Sequence, residues 1–246
     1  MPIFRNGDVS IYYEEYGQAN GFPILLIAPG GMRSAADFWH RSPFDPTVEL
    51  AADLRVIAMD QRNAGQSSAP IGINDGWESY VGDQLALLDH LGVNRFHIMG
   101  GCIGCSYVLA VIQAAPARVV AAVLQNPIGL SNGNRPMFQG MFDEWAAELH
   151  QGRPEIDQSR LDAFGRSMFG GEFVFSVSRE AVRSCRSPLL VLAGDDDFHP
   201  TATAVEIADI APDAELLRTW RTPEVVGDTV NRVRTFLRSH TPQQVR

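Results

Sequence analysis

The stretch Arg95-Phe96-His97-Ile98-Met99-Gly100-Gly101-Cys102-Ile103-Gly104 decides the fold. Arg95–Met99 is a short apolar run of the kind buried parallel strands show, and Ile103–Ala115 is a nearly all-apolar segment of helical length. Between them lies a Gly-x-Cys-x-Gly pattern, which reads as a nucleophile elbow, a tight strand-to-helix turn. The glycines let the backbone close up where a Cβ would clash. A side chain at the centre of such a turn is presented to a pocket at the start of a helix, where free N–H groups and the helix dipole favour a thiolate. A thiol starts near pKa ~8.5 and ionises without a strong base. Cys102 is therefore the candidate nucleophile, against the blander reading of a small buried hydrophobe.

Outward from the elbow, apolar runs alternate with helical patterns. Pro2–Arg5 and Val9–Tyr16 read as a strand pair turned through Asn6-Gly7-Asp8. Pro23–Ala28 and Arg55–Met59 read as buried strands. Trp77, Val81, Leu85, Leu88 and Leu91 recur at helical spacing, with Asp75 and Glu78 as a capping box and Gly92 as the stop. Val119–Gln125, Pro188–Ala193 and Ala214–Trp220 read as further strands. Thr201–Ala211 reads as a helix, and a last one carries Val226, Val230, Val233 and Leu237 on its inward stripe. From about Ser131 to Arg186 the character changes to Met and Phe clusters and many glycines. The expected organisation is an α/β core of residues 1–130 and 187–246, with a helical cap insertion over 131–186. The alternation predicts a mostly parallel sheet of about eight strands with helices on both faces.

Bulk composition agrees with one globular α/β domain. The 246 residues are 45% hydrophobic and 20% charged, with net charge −9. No run of Lys or Arg points to nucleic acid or an anionic membrane, and no apolar run approaches the roughly 18 residues of a spanning helix. Met1–Gly7 lacks a basic region followed by an apolar stretch, so no signal peptide is expected. Three cysteines cannot all pair, and a reducing cytoplasm is the expected compartment.

Four markers in chain order resemble the α/β-hydrolase superfamily, and the resemblance covers essentially the whole chain. Pro29-Gly30-Gly31-Met32 stands where that family places its oxyanion loop, with proline in place of the usual histidine. Asp60-Gln61-Arg62-Asn63-Ala64-Gly65-Gln66-Ser67 resembles its D-x-R-G-x-G-x-S segment, with Asn63, a residue tolerant of positive φ, in place of glycine. The elbow is third, with cysteine where serine is usual. Gly194-Asp195-Asp196-Asp197 resembles the turn that bears the family's acid. The resemblance also implies a catalytic histidine shortly before the last helix, yet Arg218–Glu224 holds none, and Trp220 falls near that place.

The candidate residues follow. Cys102 is the nucleophile. Asp197, counted from Gly194, and Asp196, counted back from Pro200, compete for the acid. His199, at the C-terminal edge of the sheet, is either a relocated base or a loop histidine. The N–H groups of Ile103 and Gly31 are the expected oxyanion donors, with Met32, Gly101 and Trp220 beside them. Cys105 completes a C-x-x-C, but its place in the first turn of a buried helix argues for packing, and Cys185 is expected in the core. His40 follows the oxyanion loop, His97 lies inside a strand, and His90, His150 and His240 end helices. The aspartate triplet has no ligand-spaced His or Glu, so neither a metal nor another cofactor is expected. The implied function is hydrolysis or acyl transfer on a small, mostly apolar ester, thioester or lactone through Cys102, by a monomer or homodimer. The alternative is a non-hydrolytic protein of the same fold, a lyase, isomerase or small-ligand binder without a full triad.

Overall fold

The computed structural model describes residues 2–131 and 133–243. Its centre is an eight-stranded sheet: β1 (Ile3–Asn6), β2 (Val9–Gly17), β3 (Phe22–Ile27), β4 (Leu54–Met59), β5 (Phe96–Gly101), β6 (Val119–Gln125), β7 (Leu189–Leu192) and β8 (Ala214–Leu217). The spatial order is β1-β2-β4-β3-β5-β6-β7-β8. The β1–β2 and β2–β4 pairs are antiparallel, and all pairs from β4 to β8 are parallel. This is the mostly parallel α/β sheet expected from the alternation.

The parallel strands are mostly apolar because both faces are covered. Leu25, Ile27, Ile57, Met59, Ile98, Leu124, Leu189 and Val191 belong to one core, and Ile24, Leu26, Val56, Ala58, Met99, Val123, Leu190 and Leu192 to the other. Successive residues thus alternate faces with the period of two that a strand imposes. The helices are α1 (Pro46–Glu49), α2 (Trp77–His90), α3 (Ile103–Ala114), α4 (Arg135–Gly152), α5 (Gln158–Phe169), α6 (Arg179–Arg183), α7 (Thr201–Ile210) and α8 (Val226–His240). Helices α2 through α7 contribute to the first core, whereas α8 and the Ala36–Leu50 segment close the second. No helix among the described residues is long and apolar enough to cross a membrane.

Two local expectations are corrected. Gly76, not Asp75, is the N-cap of α2. Ser79 takes the place assigned to Glu78: its Oγ accepts from the Gly76 N–H at 3.4 Å and donates to Asp75 Oδ1 at 2.7 Å. The final strand stops at Leu217, leaving Trp220 beyond the sheet ladder.

Helices α4, α5 and α6 are inserted between β6 and β7. Phe138, Phe142 and Trp145 of α4 recur at spacings of four and three and are each no more than 3% exposed. They pack with Phe164 and Phe169 of α5 in an aromatic layer, with ring centroids 5.5 to 6.1 Å apart. One face of α4 is thereby committed to the core, and its next stripe faces the 3-10 turn Gly31–Arg33 that follows β3.

Candidate functional site

The elbow closes on backbone. A Cβ on Gly100 would lie 2.3 Å from the Gly104 carbonyl oxygen, and one on Gly104 would lie 2.2 Å from that of Ile27. No side chain fits at either place. The strain falls on Cys102 itself, at φ 56 and ψ −120, a conformation that L-residues avoid. It is held by the Cys102 N–H donating to Gln125 O at 2.9 Å and by the Cys105 N–H donating to Cys102 O at 3.0 Å. The thiol is thereby presented at the N-terminus of α3 and remains partly accessible.

His199 lies two strands away in the sheet, on the turn after β7, and its imidazole and the Cys102 thiol act on each other electrostatically. Nδ1–H donates to Asp196 Oδ1 at 2.7 Å and Oδ2 at 2.9 Å. Nε2 is buried without an aligned hydrogen-bond partner. The turn folds back tightly: the N–H groups of Phe198 and His199 donate to Asp196 Oδ1, both at 3.0 Å. Gly194 permits this, since a Cβ there would lie 2.3 Å from that of His199. Asp196 is thus the carboxylate that orients the imidazole. Asp197 is not beside it; its backbone carbonyl accepts from Asn134 Nδ2 at 2.8 Å. Asp195 pairs with Arg221 across the turn.

The electrostatics of the pair follow from this geometry. Burial acts to raise the Cys102 pKa, but the His199 imidazole and the N–H groups of Ile103 and Gly30 outweigh it, holding the thiol below its ordinary value. Burial likewise acts to lower the His199 pKa, but the Cys102 sulfur and the Asp196 carboxylate outweigh it and push His199 up to about 9. Each partner thus stabilises the charged form of the other, which favours a thiolate–imidazolium pair over the neutral one. Asp196 itself is held below the usual carboxylate value, the pull of burial being overcome by His199 and two backbone N–H groups.

The turn after β3 supplies the opposite wall. Gly30 and Gly31 have φ of +121 and +60, which glycine tolerates and other residues rarely do. The N–H groups that act on the sulfur are those of Ile103 and Gly30, the latter directly before Gly31. Gly31 lies directly under Met141 of α4, where a Cβ would come within 2.4 Å of Sδ. Met141, Phe198, Leu130 and Cys102 are among the partly buried apolar groups packed against the first core. Met141 stood among the Met and Phe clusters of the sequence without a signal for its place over Gly31, and Phe198 carried no signal at all.

The remaining candidates fall elsewhere. Met32 is 1% exposed and belongs to the core beneath the turn. Gly101 ends β5, and a Cβ there would press on Pro29 and Trp39 at 3.1 Å. Trp220 is a correction: it is 1% exposed in the core on the opposite face of the sheet, packed edge-on to Phe44, with Nε1–H donating to Ala193 O at 2.7 Å. A large apolar ring with one donor is best satisfied there. Cys105 is buried, its thiol directed at the carbonyls of Gly100 and Gln125 at 3.2 Å, and burial raises its pKa well above the ordinary value. Cys185 is buried near Ser187 O. His40 pairs with Asp45, and His97 is fully buried, which pushes its pKa down to about 4. Among the described residues, no group of three or more His, Cys, Asp or Glu side chains is arranged to hold a metal.

The segment Asp60–Ser67 braces this region. Asp60 accepts from the N–H groups of Ala36 at 2.8 Å and Gln66 at 2.7 Å, and Asn63 takes φ 58 where a glycine was expected from the pattern. Arg62 grips Asp83 with two bonds of 2.7 and 2.9 Å, tying the segment to α2.

Residues 23–168 match the family described as alpha/beta hydrolase fold. Among curated proteins, the chain is 36% identical over 134 residues to RutD of Azorhizobium caulinodans, described as a carbamate hydrolase, the match covering 54% of this chain and 47% of that one. It is 32% identical over 141 residues to a proline iminopeptidase of Xylella fastidiosa, covering 56% and 42%. The matches thus span about half the length of these relatives. Among solved structures, the fold resembles a meta-cleavage product hydrolase from Pseudomonas fluorescens, with TM-score 0.68 and 20% identity over 95% of this chain and 96% of that one. With the elbow, the strand order and the family match over more than half its length, the chain belongs to the α/β-hydrolase fold family.

Proposed function

We propose that the protein hydrolyses, or transfers the acyl group of, a small and mostly apolar ester, thioester or lactone, with Cys102 as nucleophile, His199 as general acid and base, and Asp196 as the group that orients His199. The observation that carries this reading is that an imidazole held at Nδ1 by Asp196, with Nε2 buried and unbonded, acts on the thiol of a strained elbow cysteine.

The chemistry closes in two halves. The Cys102 thiolate attacks the carbonyl carbon, and the developing oxyanion is held by the N–H of Ile103 and one from the Gly30–Gly31 turn. The His199 imidazolium gives its proton to the leaving oxygen or sulfur as the carbonyl bond to it breaks, which leaves a thioester on Cys102 and a neutral imidazole. His199 then takes a proton from water as that water attacks the thioester, and the thiolate is expelled. Because a thiolate is itself a good leaving group, the first tetrahedral adduct reverts unless the other group departs as readily. This favours thioesters and activated esters or lactones over plain alkyl esters and amides. The names of the two curated relatives, a carbamate hydrolase and an iminopeptidase, lie within acyl chemistry and support the class.

The test uses p-nitrophenyl acetate, with intact-mass analysis of the native protein and of Cys102→Ser. The expected result is an acetyl adduct on the native protein that turns over and is missing in the variant. Equal turnover by both proteins, or no adduct and no turnover from acetyl, butyryl and lactone donors, overturns the reading.

A further inference from the structure

The Gly31–Arg33 turn is tied to helix α4 twice. Met141 Sδ sits over Gly31, so close that an added Cβ would come within 2.4 Å of it, and Cε and Cγ follow at 3.3 and 3.4 Å. Seven residues on, two turns along the same face, Glu148 pairs with Arg33 at 2.7 Å. The rest of the inward stripe, Phe138, Phe142 and Trp145, is 1 to 3% exposed and locked in aromatic packing, whereas Met141 stays partly open. It is an unbranched, adaptable side chain between a rigid layer and a glycine turn that offers no side chain of its own.

Strand order says which part of a substrate meets it. The Gly30–Gly31 turn follows β3, on one side of β5 and Cys102; His199 follows β7, two strands away on the other side. A leaving group must lie where His199 can protonate it, toward β6 and β7. The carbonyl oxygen points between the N–H of Ile103 and the glycine turn. The acyl substituent is left with the β3 side, beneath α4.

We propose that Met141 is the specificity-determining residue for the acyl group, closing the space over Gly31 so that the site takes short acyl chains and excludes long ones. This rests on the acyl-enzyme reading above, and Met141 takes no part in bond making. One or two methylenes of mismatch in such a pocket are worth roughly 10- to 200-fold in kcat/KM.

The experiment compares native protein, Met141→Ala and Met141→Leu on p-nitrophenyl acetate, butyrate and octanoate. In the native protein kcat/KM is expected to fall steeply with acyl length. Met141→Ala is expected to raise the octanoate-to-acetate ratio at least about tenfold while acetate turnover persists, and Met141→Leu to stay near the native ratio. An unchanged ratio in Met141→Ala, with acetate turnover intact, overturns the proposal and leaves the acyl-enzyme reading standing. A second arm does not need catalysis. Labelling of Cys102 by iodoacetamide and by N-benzylmaleimide is followed by intact mass, with Cys102→Ser as blank. Met141→Ala is expected to accelerate the bulky reagent selectively. Equal acceleration of both reagents, or of neither, overturns the proposal even if the protein hydrolyses none of the esters.

Discussion

Asp196 holds both of its carboxylate oxygens on Nδ1 of His199, at 2.7 and 2.9 Å, from only three residues away in the chain. The proposed acid and base thus come from a single turn, and Arg218–Glu224, where the resemblance had implied the histidine, holds none. Asp196→Asn keeps the shape but removes the charge and permits the wrong tautomer. It is expected to lower kcat by roughly 10²–10⁴ with little change in KM. Asp197→Asn, whose side chain does not touch the imidazole, is expected to stay near native activity. Steady-state kinetics of the two variants check this, and equal losses would refute the assignment.

The thiolate–imidazolium pair predicts a bell-shaped pH profile for acylation. The thiolate fraction rises with pH through the depressed Cys102 value, and the imidazolium that protonates the leaving group disappears as pH rises through about 9. The optimum therefore lies between the two, with an acid limb below the ordinary thiol range. Asp196 helps raise the His199 pKa, so Asp196→Asn is expected to move the alkaline limb to lower pH. Pre-steady-state release of p-nitrophenol against pH reads both limbs; a single rise at the pKa of a free thiol would contradict the pair.

Arg62 and Asp83 form a buried ion pair, their side chains 8% and 6% exposed. Asp83→Ala leaves the buried Arg62 with only Asp75, 3.5 Å away, and the Ser79 carbonyl, and is expected to cost up to about 3–5 kcal/mol of stability, whereas Arg62→Met with Asp83→Leu is expected to recover most of it. Urea unfolding of the single and double variants measures the difference. A single-variant cost under about 1 kcal/mol would show the pair to be solvated.

The sheet and the elbow were legible because their signals are local. A Cβ on Gly100 would meet the Gly104 carbonyl four residues on, although one on Gly104 would meet that of Ile27 in β3, and an apolar run buried on both faces announces a parallel strand wherever it lies. The proposed base was harder to place. His199 could be placed at the right edge of the sheet, but its approach to Cys102 depends on β6 and β7 lying in order beside β5, a long-range fact. The choice between Asp196 and Asp197 turned on a single residue in a tight turn, where a slip of one reverses the side chain. Met141 needed the packing of α4 onto another loop, which no periodicity records.

Trp220 separates register from environment. Its position suggested the pocket, but its indole N–H donates to Ala193 O, and Thr229 Oγ1 donates to its own carbonyl at 2.8 Å, anchoring the start of α8. Ala193 directly precedes Gly194, so the bond also steadies the root of the turn that carries His199. Trp220→Phe keeps most of the apolar contact but leaves a buried carbonyl unpaired, with an expected cost of about 1–3 kcal/mol. KM and the preference among acyl lengths are expected to stay as in the native protein, because the ring lies across the sheet from the substrate. Thermal unfolding together with kinetics on acetate and octanoate esters decides the matter: a shift in acyl preference without loss of stability would return Trp220 to the pocket, whereas loss of stability with unchanged preference fits a core residue that supports the His199 turn from beneath.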